Sequence, residues 1–217
     1  MGSMATRLLY LARHAEQDLS ELNGPDAGEP DTGLSERGRQ QATLLGERLR
    51  TRRFAAVHHG PLRRAAQTAE LIAKSLPEVP VYETELAGDH LPHDTDPAGL
   101  PPAYAEFLSQ FSAAERVDGP RVTAEAVRRF AGPVGAGPAG GEPVRELLVT
   151  HSFLIAWLVR HALDAPEWRW LGLNSHNAGL TVIRYSAGGP PNLIAVNDVA
   201  HLPPVLRGTG LPPDYLT

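Results

Sequence analysis

The chain has 217 residues, of which 42% are hydrophobic and 21% charged, and a formal net charge of -5. That length suits one domain with a real core. The acidic balance without any basic run excludes nucleic acid as an expected partner, and no apolar stretch reaches the length of a membrane span. With no cysteine there is no disulfide framework, thiolate zinc site or thiol nucleophile, and a cytoplasmic location is the default expectation.

In chain order, Met1-Gly2-Ser3 lacks the layout of a secretory leader and reads as a cloning remnant before a native Met4. Residues 7–12 form the first predicted strand, a short bounded apolar run. Residues 17–33, rich in Gly, Pro and Asp, form a surface loop. Ser35 is the predicted N-cap of a helix whose Ala42, Leu45 and Leu49 share one face. A second strand covers 54–58. Helix 62–76 gathers Ala65, Thr68, Ala69, Ile72 and Leu76 on one side, and Val79 to Tyr82 gives a short edge strand. Residues 84–103 are irregular, with the composition of a lid or binding loop. Helices at 103–116 and 123–131 follow, then a Gly-rich turn over 132–141, a strand at 145–150 and a helix at 152–163. An aromatic stretch around Trp168 and Trp170 leads to strands at 178–185 and 193–197. The proline-rich tail 198–217 is expected to wrap the surface. The alternation predicts one domain over 1–217, a three-layer α/β/α sandwich with a mostly parallel central sheet.

Two of the strands end on histidines. Leu8 to Ala12 leads into Arg13-His14-Ala15-Glu16, and Leu147-Leu148-Val149 leads into Thr150-His151-Ser152. Open parallel sheets bind ligands beyond the carboxyl ends of their strands, so both imidazoles arrive at one edge. The segment Gly60 to Ala69 brings Arg63 and Arg64 to a helix start, where free N–H groups already favour anions. Guanidinium groups add bidentate donors for phosphate oxygens. A lone histidine at a strand end is more often a partly buried, hydrogen-bonded residue. The arginines make a phosphate site the better reading.

Leu11 to Glu16 resembles the Arg-His-Gly-Glu signature of the histidine phosphatase superfamily, in its phosphoglycerate mutase-like branch. Gly33 to Ala42 is similar to that family's Leu-Thr-Gly helix start. Pro61 to Ala69 is similar to its second-arginine motif, Val149 to Ser152 to its Thr-His-Gly motif, and Leu173 to Leu180 to its late Asn segment. The matches keep the family's order from about residue 7 to about residue 185. The resemblance implies a phosphoglycerate mutase-like fold. It implies a metal-independent phosphomonoesterase, a histidine acid phosphatase-like hydrolase that needs no cofactor, with a phosphohistidine intermediate on His14. Arg13 and Arg64 clamp the phosphoryl oxygens, and His151 donates to the charge that grows in the transition state. Arg64 takes that role rather than Arg63 because the family arginine precedes a small residue, here Ala65. Gln17 and Ser152, close in sequence to the two histidines, are candidate phosphate contacts.

The chain departs from the family at the acid. The usual Glu stands two residues after a Leu, and Glu85-Leu86-Ala87-Gly88-Asp89 has Gly88 there. Asp89 is the expected acid and later base, Glu85 is its rival and a further substrate contact, and Glu83 reads as a solvated charge. His58 and His59 are candidates for the pocket rim. His90, His93, Asp94 and Asp96 are metal-ligand types but read as loop charges, and no metal is expected. His176 and Asn177 read as structural, and Trp157, Trp168 and Trp170 as core. Leu86 to Pro102 and Asn197 to Pro204 resemble the branch that includes protein serine/threonine phosphatases, so the expected substrate is a phosphorylated small molecule or a phosphoprotein. A phosphoglycerate-type mutase is one alternative, which the short acid loop disfavours. A phosphate-ligand or protein-binding module without turnover is another, and a pure binder has little use for a reactive imidazole.

Overall fold

The computed structural model describes residues 4–20, 31–135 and 141–210. Residues 1–3 with the remnant reading made of them, most of the expected 17–33 loop, the middle of the expected Gly-rich turn and the last seven residues of the tail lie outside them. Among the described residues six strands and five α-helices alternate: β1 (Arg7–Arg13), α1 (Glu36–Leu49), β2 (Ala56–His59), α2 (Arg63–Ala73), β3 (Val81–Glu83), α3 (Pro102–Ser109), α4 (Ala113–Phe130), β4 (Val144–Thr150), α5 (Ser152–Ala162), β5 (Leu180–Tyr185) and β6 (Asn192–Asp198). The sheet order is β3-β2-β4-β1-β5-β6. The first four strands run parallel, and β5 is antiparallel to β1 and to β6.

Side-chain alternation along β1 divides the core. Ala12, with Val57, Val149 and Val182, faces a cluster filled by Ala42, Leu45 and Leu49 of α1 and by Ala65, Ala69 and Ile72 of α2. Leu9 and Leu11 face the other cluster, with Ala126 and Phe130 of α4 and Leu154, Ile155 and Leu158 of α5. Helices on both faces of a mostly parallel sheet make the three-layer sandwich. A smaller cluster joins Leu91 and Leu108 to Trp157, Trp170 and Leu171, and fixes the irregular segment after β3.

Local chemistry sets the helix starts. Ser35 Oγ accepts from Gly38 N at 2.9 Å and caps α1. A Cβ on Gly38 would lie 2.0 Å from the Glu16 carbonyl oxygen, so only glycine lets the chain after β1 pass this close to the helix. The two helices predicted at 103–116 and 123–131 divide elsewhere. The first ends at Ser109, and the second begins at Ala113 and runs on through Pro120 to Phe130. Ser112 and Glu115 form a reciprocal capping box that starts α4. Gly119 marks a close approach inside one helix, since its Cβ would lie 2.4 Å from the Leu91 carbonyl oxygen. Most of the described tail residues are exposed or half-buried, with Leu202 and Thr209 buried.

Candidate active site

The register of β1 on β4 pairs Arg13 with Thr150. Both strands therefore end at one level, and the residue that follows each is a histidine. The His14 amide donates to the Thr150 carbonyl at 2.8 Å, and the two imidazole centroids lie 5.0 Å apart.

His14 is buried, and its Nδ1 lies 2.8 Å from the Ala15 carbonyl oxygen. A carbonyl only accepts, so Nδ1 carries the proton and Nε2 keeps its lone pair. Burial, with His151, Arg13 and Arg64 close by, holds His14 well below the usual histidine range. The ring is neutral at physiological pH. His151 is held down in the same way, first by burial and then by Arg64 and Arg13. Neither of its ring nitrogens has a hydrogen-bond partner among the described residues.

Arg13 Nη1 donates to the carbonyls of Ser175 at 2.5 Å and Thr209 at 2.6 Å. Burial lowers its guanidinium to about 10, which still leaves it charged at neutral pH. Arg64 stands in the first turn of α2 and is buried, whereas Arg63 beside it is exposed. Arg64 Nη2 donates to Asp89 Oδ2 at 2.9 Å, and the same oxygen lies 3.4 Å from His151 Nδ1. The Nε atoms of both arginines are buried without a hydrogen-bond partner among the described residues. A neutral imidazole, two buried guanidinium groups and a second neutral imidazole face one place, with unsatisfied donors that an oxyanion can take.

Of the two candidate carboxylates, Asp89 stands beside Arg64 and His151. Burial raises the Asp89 carboxyl above its ordinary value, against the pull of Arg64 and Arg13. Glu85 has 63% of its side chain exposed and pairs with His90 at 3.1 Å, with no contact to the histidines or arginines of the site.

The family model of the histidine phosphatase superfamily (branch 1) matches residues 9–199. The chain belongs to this superfamily. A relative is the rat mitochondrial serine/threonine-protein phosphatase PGAM5, 29% identical over 204 residues, covering 92% of this chain and 65% of that protein. The chain thus spans just under two thirds of the length of this relative. A second is the Citrobacter koseri protein named "Probable phosphoglycerate mutase GpmB", 26% identical over 212 residues, covering 89% of this chain and 94% of that one. Among solved structures, Bacillus stearothermophilus YhfR superposes with a TM-score of 0.67 at 28% identity, over 90% of this chain and 98% of that one.

Other positions singled out in the sequence divide. Ser152 opens α5, its hydroxyl 3.5 Å from Asn174 Oδ1, and the Gln17 backbone bridges to Leu34. His58 does not rim the pocket. It is buried between Tyr82 and Phe130, with Nε2 3.4 Å from Glu146. Neighbours in a strand face opposite ways, and His58 faces the core. Trp157 and Trp170 are core, but Trp168 is half-buried and lines a cavity of about 550 Å³ with the segment from His93 to Pro101. His93 pairs with Glu167 and Asp94 with Arg116, and no group of three or more metal-ligating side chains occurs among the described residues. Glu16, to which the motif alone gave no task, accepts from Ser35 Oγ and Arg37 and ties the turn after β1 to α1. Asn177 Nδ2 donates to the His14 carbonyl at 3.3 Å.

Proposed function

We propose that this protein is a metal-independent phosphomonoesterase acting through a phosphohistidine on His14, with phosphoproteins as well as small phosphate esters in its range. One observation carries the reading. Nδ1 of His14 is tied to a carbonyl, so a neutral Nε2 stands ready beside Arg13, Arg64 and His151. His14 Nε2 attacks phosphorus while the ester P–O bond breaks. Asp89, which takes up a proton from solvent once the substrate displaces it from Arg64, gives that proton to the leaving oxygen. Arg13, Arg64 and His151 hold the equatorial oxygens as charge develops. Asp89, now a carboxylate, removes a proton from water, whose oxygen attacks the phosphohistidine. The P–N bond breaks, phosphate leaves and His14 returns to its neutral form. The name of the PGAM5 relative supports including phosphoserine and phosphothreonine in proteins.

Quenching the enzyme during turnover of a ³²P-labelled ester in EDTA tests this. The wild type is expected to carry acid-labile, base-stable label and His14→Ala none, with the mutant's circular dichroism unchanged. Equal turnover by His14→Ala, or activity abolished by EDTA and restored by a divalent metal, overturns it.

A further inference from the structure

Beyond the side chains proposed for catalysis, the segment that returns after β6 makes an unusual set of contacts. Its carbonyls at four consecutive residues accept from three side chains and one main-chain amide, each on a residue that belongs to, or is bonded to, the end of β1 and the turn after it. The Leu206 carbonyl accepts from Gln41 Nε2 at 2.7 Å, and Gln41 Oε1 accepts from the Glu16 amide at 2.8 Å. The Arg207 carbonyl accepts from Arg37 Nη2 at 2.8 Å, and Arg37 Nη1 pairs with Glu16 Oε2 at 2.9 Å. The Gly208 carbonyl accepts from the Asn177 amide at 2.8 Å, and Asn177 Nδ2 reaches the His14 carbonyl. The Thr209 carbonyl accepts directly from Arg13.

We infer that Leu206–Thr209 is a positioning element of the catalytic site, which sets the plane of the Arg13 guanidinium through main-chain carbonyls. Arg13 Nη1 has two N–H groups, and Ser175 and Thr209 take both. That fixes the planar fork and leaves its Nε edge, which no group among the described residues bonds, for an oxyanion. Losing the Thr209 carbonyl leaves one anchor, about which the fork can turn. Buried Leu202 and the Asp198–Arg48 ion pair secure the base of the segment independently.

The inference rests on the phosphatase reading, and the test separates the two. A stop after Arg207 removes the two carbonyls nearest Arg13 and His14, and a stop after Gly210 is the control that keeps all four. Gly210→Pro in the full chain is the second variant: Gly210 has φ +75°, which proline cannot adopt, so the backbone at Thr209 must re-route. The stop after Arg207 and Gly210→Pro are expected to lower kcat/KM for p-nitrophenyl phosphate about tenfold to a hundredfold, as a displaced catalytic group does. In an Arg13→Ala background the same changes are expected to cost less than about threefold, because the segment acts through Arg13. An equal loss in both backgrounds would mean plain structural support and overturn the inference, as would no loss from the stop after Arg207. A wild type that binds inorganic phosphate in calorimetry but turns nothing over sinks the phosphatase reading alone. The segment is then judged by the same comparison on phosphate affinity.

Discussion

Asp89→Asn separates the acid from the phosphate clamp. In the resting site the carboxylate is bonded to Arg64 at 2.9 Å and stands 3.4 Å from His151, with 30% of its side chain exposed. Substrate binding requires Arg64 to exchange that carboxylate for a phosphoryl oxygen. A charge-assisted hydrogen bond contributes about 1.5–3 kcal/mol when buried, and partial exposure reduces this to about 1 kcal/mol. The neutral amide weakens the competing bond, so KM is expected to fall about threefold to fivefold. The chemical step moves the other way. Without a proton donor, kcat for an alkyl phosphate is expected to drop about a hundredfold to ten-thousandfold. For p-nitrophenyl phosphate, whose leaving group departs without a full proton, the drop is expected to stay under about tenfold. Steady-state kinetics on both esters, with Glu85→Gln as the control, read this directly. Equal losses on the two esters together with an unchanged KM would refute the reasoning, and leaving-group dependence in Glu85→Gln would move the acid there.

Arg64→Ala is expected to lower kcat/KM about a hundredfold or more, and the exposed neighbour change Arg63→Ala less than about threefold; equal losses would show the wrong arginine in the clamp. Glu146 is buried, forms an ion pair with Arg7 and accepts from Arg129, which together with His58 hold its carboxyl down to about 2 despite its burial. Glu146→Gln strands the buried Arg7 charge and is expected to cost about 3 kcal/mol, about 6–12 °C in Tm by calorimetry. His14 and His151 are neutral in the fold, and His201, lowered by burial and Arg48, titrates only at about 4. The unfolded chain binds those protons first, so stability is expected to fall as pH drops below about 6.5. Glu146 and Asp198, both at about 2, add a second loss between their ordinary values and about 2, visible as steepening in urea melts taken at successive pH. In the pH profile of kcat/KM, the acid limb is expected below 6.5, where His14 gains a proton, and the alkaline limb should flatten in Asp89→Asn.

The residues proposed as nucleophile and clamp were legible as a cluster in the chain because each lies at the end of a local pattern. Apolar runs ending on His14 and His151 are strands in any compact setting, and the small residue after Arg64 fixed which arginine turns inward, as its burial beside the exposed Arg63 shows. Strand–helix alternation was enough for the sandwich, since a sheet buried on both faces needs helices on both. Proximity decided the rest. That Gly119 and Pro120 lie within one helix depends on the Leu91 carbonyl pressed against it, a partner 28 residues away in sequence. His58 reads like a second site histidine until the pleat turns it toward Phe130. The bond from Asp89 to Arg64 joins two segments that no spacing relates. Least legible is the support given by Leu206–Thr209, because it is made by carbonyls. Every residue carries one, so the sequence has no letter for it, and only the folded path of the chain brings those oxygens to Arg13 and its neighbours.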